Sequence, residues 1–178
     1  IIGMAVRAPG ARSLNEFWDN LVAGRESIES LSEEALLAAG EPVSRLHNSH
    51  YVPRAAILPG MEMFDAEFFG VSPKEAAIMD PQHRHFLECS WEAFENAARM
   101  PDGFDGPVGV FAGCGMGSYF YFNVCSNRQL VDQVGMFLLR HTGNDKDFLS
   151  TRVSYLFDLK GPSVTVQTAC STSLVAVH

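Results

Sequence analysis

Residues 164–178 read VTVQTACSTSLVAVH. Val164, Val166 and Thr168 alternate with Thr165, Gln167 and Ala169. The run is β-branched and apolar, which predicts a buried strand. Cys170 follows at once. Ser171, Thr172 and Ser173 then occupy the first turn of a helical run that carries Leu174, Val175 and Val177. The pattern predicts strand, sharp turn and helix, with the cysteine on the turn. A thiol placed there lies at the positive end of a helix dipole, which favours thiolate and aims the sulfur out of the backbone. That is the arrangement of an activated nucleophile. Ala169, Ser171 and Ser173 are small and leave room for a substrate to approach. The N–H of Cys170, at a helix start, is free to serve a developing oxyanion. The competing reading is a buried structural thiol, the commoner fate of a lone cysteine.

Upstream of the strand, Lys160-Gly161-Pro162 ends a helix predicted over 147–159, with Phe148, Leu149, Val153 and Leu156 on adjoining faces. A second strand is predicted over 107–112, running into Gly113-Cys114-Gly115-Met116-Gly117. Three glycines in five residues let backbone pass close to a ligand or another chain. The segment lacks the GK[ST] and GxGxxG patterns of phosphate loops. Asp80-Pro81 supplies a cap and a first-turn proline, and Leu87, Trp91, Phe94 and Ala98 follow as a core stripe. Asp80, Gln82 and Arg84 are read as fixing that helix start. Ser72-Pro73-Lys74-Glu75 is a second start signal. Further upstream, Ser13 with Glu16 and Ser30 with Glu33 are read as capping pairs. Residues 1–6 read as a first strand, Leu14, Phe17, Trp18 and Leu21 as a core-facing helical stripe, and 41–63 as surface loop. Aromatic and apolar residues over 119–124 and 130–139 suit either a core or a dimer interface.

The chain has 178 residues, 47% hydrophobic and 19% charged, enough for one core and too apolar for disorder. A net charge of −8 argues against nucleic acid or an anionic membrane as partner. Arg7, Arg12, Arg25, Lys146 and Arg152 could still form a local basic patch. Cys89, Cys114, Cys125 and Cys170 have neither zinc-site spacing nor the density of a disulfide scaffold, so they read as reduced thiols of a cytoplasmic protein. His83 and His85 fall on different sides of a helix, so no metal site is expected. No apolar run is long enough to span a bilayer. The chain starts inside its first predicted strand and stops inside its last helix, which reads as part of a longer chain.

Six blocks carry a resemblance. Gly161-Pro162-Ser163 with Thr168-Ala169-Cys170-Ser171-Thr172-Ser173 is similar to the active-site segment of β-ketoacyl synthases (ketosynthases), in the variant of modular polyketide synthases. Ile2-Gly3-Met4 followed by Pro9-Gly10-Ala11, the run Phe64 to Phe69, Asp80-Pro81-Gln82, Gly109 to Gly113, and Gly143 to Phe148 agree in order and spacing. The likeness covers the whole chain.

The resemblance implies a thiolase-like α/β fold of layered αβαβα type, with residues 1–178 as the N-terminal part of a ketosynthase domain. It implies that Cys170 accepts an acyl chain from the phosphopantetheine arm of an acyl carrier protein. A malonyl-type extender on a second arm then loses carbon dioxide and attacks that thioester. Phosphopantetheine would come on the carrier, with no cofactor or metal bound by the chain itself. Two histidines and a lysine that support condensation lie beyond the cysteine in such enzymes. None of His47, His50, His83, His85, His141 and His178 matches them, so the 178 residues alone are not expected to condense. Met116 matches a residue gating the acyl pocket, and Asn144 a loop reaching toward the neighbouring subunit's site. Both also have plain structural readings, as a packed methionine and an Asn turn. A homodimer is implied, with residues 163–168 pairing with their copy, as are neighbouring polyketide synthase domains. Two rivals remain: a non-condensing gatekeeper that only binds acyl carriers, and a thiolase- or chalcone-synthase-like enzyme using coenzyme A esters.

Overall fold

The computed structural model describes all of residues 1–178. The chain folds as two units, Val6–Gly60 and a larger one formed by Ile1–Ala5 with Met61–His178.

In the smaller unit, helix α1 spans Leu14–Val22, where Ser13 Oγ accepts from Glu16 N–H. The Glu16 carboxylate turns back to the Arg12 N–H at 2.6 Å, so the pair caps the helix without a reciprocal box. The helical stripe of α1 is present but not buried: Trp18 is 65% and Leu21 57% exposed, because the small unit leaves that face open. Strand β1 (Glu29–Ser30) pairs antiparallel with β2 (Arg54–Ala55). Ser30 is spent in that ladder, so Ser32 caps helix α2 (Glu33–Ala38) in its place, accepting from Ala35 N–H at 3.1 Å. The segment 41–63, expected to be loop throughout, holds β2 and the short helix α3 (Val43–Leu46).

The larger unit is built on a parallel pair, β3 (Val110–Ala112) and β4 (Ser163–Thr165). Their register sets Val110 opposite Ser163, Phe111 opposite Val164, and Ala112 opposite Thr165. Parallel strands need a crossover. Here it consists of the π-helical segment Phe120–Val124, α6 (Arg128–Val134), α7 (Met136–Gly143) and α8 (Asp147–Leu156). Before β3 come α4 (Pro73–Ile78) and α5 (Pro81–Asn96). The α4 start is a full capping box, Ser72 and Glu75 each accepting the other's N–H at 3.2 Å. One face of the strand pair is closed by Met79, Leu87, Leu149 and Val153, with Phe69, Trp91 and Phe94 ringed around Phe157 at 5.7–6.3 Å. The other face is open: Phe111 is 51% and Val164 41% exposed, so β4 is not the buried strand its composition predicts. A smaller cluster gathers Ile78, Val124 and Leu139 beneath Phe120, Leu130 and Val134, while Phe122 and Phe137 point outward.

Two further expectations are corrected. Residues 1–6 form no strand, because Gly3 is wedged against Ala93 of α5 and Ala97 just past its end, and the Met4 N–H donates to Asn96 Oδ1. Ala98 falls outside the α5 stripe: it lies past the helix end with φ +52°, where the chain has already turned. No helix is long and apolar enough to cross a membrane.

His83, on the first turns of α5, is 2% exposed, and neither ring nitrogen has a partner. Burial pushes its pKa down to about 4; Asp80 opposes this, Arg152 reinforces it, and Asp145 opposes it. The unfolded chain therefore binds a proton that the folded one refuses between pH 6.5 and 4. Stability should fall as pH drops through that window, by about 3 kcal/mol at its acid end. In urea titrations of the intact domain that contains this chain, His83→Leu should flatten the acid limb. An unchanged limb would mean that His83 is not its source.

Candidate active site

The elbow around Cys170 is built from its neighbours' hydroxyls. After β4 the ladder runs one step further, Val166 N–H donating to Ala112 O at 2.7 Å. The chain then breaks at Thr168 (φ −129°, ψ 37°) and turns through Ala169, which sits at φ +51°. A left-handed alanine costs on the order of 1–3 kcal/mol and persists only where its surroundings hold it. Here they do: Thr172 Oγ1 donates to Ala169 O at 2.8 Å and accepts from Thr168 N–H at 3.0 Å, and Ser171 Oγ donates to Thr168 O at 2.8 Å. Ala169–Ser171 is a single 3₁₀ turn, followed by helix α9 (Thr172–Val177). The cysteine thus precedes the α-helix by two residues, standing on the tight turn rather than in the first α turn. The turn uses the N–H groups of Ser171 and Thr172, leaving that of Cys170 unclaimed by the elbow.

Cys170 is exposed and borders a cavity of about 520 Å³. The opposite wall is the glycine-rich segment after β3, with Gly113, Cys114, Gly115 and Met116. Gly113 is where the strand pair and the elbow touch, since a Cβ there would collide with the Val166 carbonyl and the Thr172 methyl. Met116 is 77% exposed, its side chain unpacked. Lys146 and Gln167 complete the rim, Lys146 Nζ donating to Gln167 Oε1 at 3.0 Å. The rim therefore carries a cation and no carboxylate. Cys114 shares the cavity but not the exposure; burial pushes its thiol up, Lys146 pulls it back, and Asp80 adds to the rise.

Of the residues singled out from the sequence, Cys170 and Met116 meet at this cavity. Asn144 does not line it: it is buried, its amide donating to Ile78 O at 2.7 Å and Leu139 O at 2.8 Å, tying α7 to α4. No histidine lines the cavity either. His85 is held by Met61 O and Glu88, and His141 stacks on Phe137 at 4.1 Å. Sequence reading left out Lys146 and Gln167 as site residues. Lys146 had entered only as a member of a local basic patch and of the block Gly143 to Phe148.

The family model described as "Beta-ketoacyl synthase, N-terminal domain" matches residues 1–178. The chain belongs to the β-ketoacyl synthase family. Over its whole length this ketosynthase chain is 47% identical to a component of the phenolphthiocerol/phthiocerol polyketide synthase of Mycobacterium tuberculosis, covering 12% of that protein. It is 41% identical to an erythronolide synthase of Saccharopolyspora erythraea, covering 6%. Among solved structures, ketosynthase twelve of the bacillaene polyketide synthase of Bacillus amyloliquefaciens superposes with a TM-score of 0.82 at 36% identity, over 98% of this chain and 30% of that one. The thiolase-like α/β fold expected of the family is that of these ketosynthase domains, of which the chain covers the N-terminal part. The relatives are multidomain polyketide synthases, which the chain matches over a small share of their length.

Proposed function

We propose that this ketosynthase chain supplies the acyl-accepting nucleophile of a condensing enzyme in polyketide biosynthesis. The observation that carries the reading is an exposed Cys170, on a strained elbow, facing a cavity of about 520 Å³. The Cys170 thiolate attacks the carbonyl of an acyl thioester on the phosphopantetheine arm of an acyl carrier protein. A new sulfur–carbon bond forms, the carrier's carbon–sulfur bond breaks, and the carrier thiolate leaves and takes up a proton. The unclaimed Cys170 N–H stabilises the tetrahedral oxyanion between those steps. Met116, opposite, bounds the space for the acyl chain. The malonyl-type extender then loses carbon dioxide, and its carbanion attacks the Cys170 thioester, expelling the thiolate and leaving a β-ketoacyl chain two carbons longer on the second carrier.

The groups that polarise the extender are histidines and a lysine that the family carries beyond the cysteine. The cavity of the 178 residues contains no histidine. Two subunits, with β4 beside its copy, and neighbouring synthase domains complete the assembly in this reading. Asn144 serves it from within the fold, by positioning the start of the Lys146 loop.

The test is incubation of the intact domain containing this chain with an acyl carrier protein loaded with a short starter and a second one loaded with malonyl. The expected result is acyl-Cys170 by mass spectrometry, followed by release of carbon dioxide and a β-ketoacyl carrier. The 178 residues alone should form no carbon–carbon bond. Acylation without extension by the intact domain would assign it to the non-condensing gatekeepers instead.

A further inference from the structure

The bond that ties the cavity wall to the core comes from Gln82. Its Oε1 accepts from the Gly115 N–H at 2.7 Å, across 33 residues of sequence. Its Nε2 lies 3.4 Å from both carboxylate oxygens of Asp80. Asp80 is itself fixed: it is 3% exposed, its Oδ1 accepts from Gln82 N–H at 2.8 Å, and its own N–H donates to Gly143 O at 2.8 Å. Gln82 is thus held at both ends of its amide, between a buried helix cap and a loop residue one step before Met116. Elsewhere in that loop Cys114 packs on the core. Gly113 anchors its start against the elbow, and the Ser118 N–H returns to Met116 O at 2.8 Å. The Met116 side chain itself is free, so its place over the cavity follows from where its backbone is held. Capping explains Asp80 but leaves the Gln82 side chain over, and that side chain spends its acceptor on the wall facing Cys170.

We propose that Gln82 is a positioning residue that sets acyl-chain preference at Cys170 by holding the backbone of Gly115 and Met116. This rests on the acyl-accepting reading of Cys170. Releasing the Gly115 N–H lets the Met116 segment withdraw, enlarging the cavity and admitting longer chains.

The experiment is a competition on the intact domain containing this chain. It is offered equal amounts of the acetyl and octanoyl thioesters of N-acetylcysteamine, and the two acyl forms of Cys170 are counted by intact-protein mass. Gln82→Ala and the length-preserving Gln82→Met both lose the acceptor. Each should raise the octanoyl-to-acetyl ratio by roughly three- to tenfold, the equilibrium worth of one hydrogen bond. Gln82→Glu combined with Asp80→Asn keeps an acceptor oxygen at the same reach without setting two carboxylates 3.4 Å apart, and should return the ratio toward wild type. Ser72→Ala, which loses the α4 cap and touches nothing at the cavity, should lower the melting temperature and leave the ratio alone. An unchanged ratio in folded Gln82→Ala and Gln82→Met would overturn the proposal. So would failure of both to fold, because the clamp would then serve the core rather than the cavity. A wild-type domain that takes neither acyl group, while iodoacetamide still alkylates Cys170, would instead sink the acyl-accepting reading itself.

Discussion

Cys170→Ala should abolish acyl-enzyme formation in the intact domain and lower condensation by about 10⁴-fold or more, the scale seen when a covalent nucleophile is removed. The size of the effect depends on whether another thiol can stand in. Cys114 borders the same cavity and is the obvious substitute. It is a poor one: burial pushes its thiol up, and the cavity's ammonium, Lys146, only partly offsets this. It also sits on a backbone pinned at Gly113 and Gly115, facing the elbow rather than mounted on it. Cys170→Ser, which keeps the shape, should be nearly as inactive, because a hydroxyl is a far weaker nucleophile than a thiol and ionises far less readily. The measurement is the acyl mass shift on the domain, mapped to peptides. An acyl group found on Cys114 in Cys170→Ala would mean that the elbow is not what selects the nucleophile. A fully active Cys170→Ala would remove the cysteine from the mechanism.

What could be read from the sequence here is what is local. The Ser72–Glu75 box and the Asp80 cap each lie within three residues of what they bond, so residue type and spacing suffice. The elbow is of the same kind, its hydroxyl bonds joining residues three or four apart. The readings that failed needed a distant partner. Residues 1–6 have strand composition, but Gly3 and Met4 lie against α5, and no strand is offered to pair with. Ser30, with Glu33 three residues on, has the capping-box spacing, yet Ser32 caps α2. The choice falls to Ser32 because Arg54, 24 positions beyond Ser30, takes Ser30 into a ladder. Met116 was found through the family resemblance, while its neighbour's tie to Gln82 left no trace in spacing. Lys146 and Gln167 reach the cavity because α8 and β4 pack together, a fact of the fold and not of either segment.

The same distinction separates two kinds of glycine. Gly24 and Gly40 end helices at positive φ, a local requirement legible from their positions. Gly113 is different. Its φ is not in the left-handed region, so nothing local demands glycine there; the demand comes from the strand pair and the elbow meeting around it.

Gly113→Ala should therefore be the most damaging single methyl addition near the site. The new Cβ would fall far inside van der Waals separation of the Val166 carbonyl oxygen and of the Thr172 Cγ2. The first is backbone, one step past the last β4 rung, and cannot swing aside. The second belongs to the side chain whose hydroxyl holds Thr168 and Ala169 in place. Relief must come from parting β3 and β4 or from turning Thr172, which releases the strained Ala169. Overpacking of this kind costs about 3 kcal/mol, and more where backbone has to move. Gly103→Ala is the control: it has open space around it and an ordinary φ, and should change stability by no more than about 0.5 kcal/mol. The check pairs urea unfolding of the intact domain with the rate at which an acyl thioester modifies Cys170. Gly113→Ala should lose both stability and acylation, and adding Thr172→Ser, which deletes the clashing methyl but keeps the hydroxyl, should recover part of each. Wild-type stability in Gly113→Ala would show that the two strands yield at that point at no cost, and that the elbow's geometry does not depend on their contact.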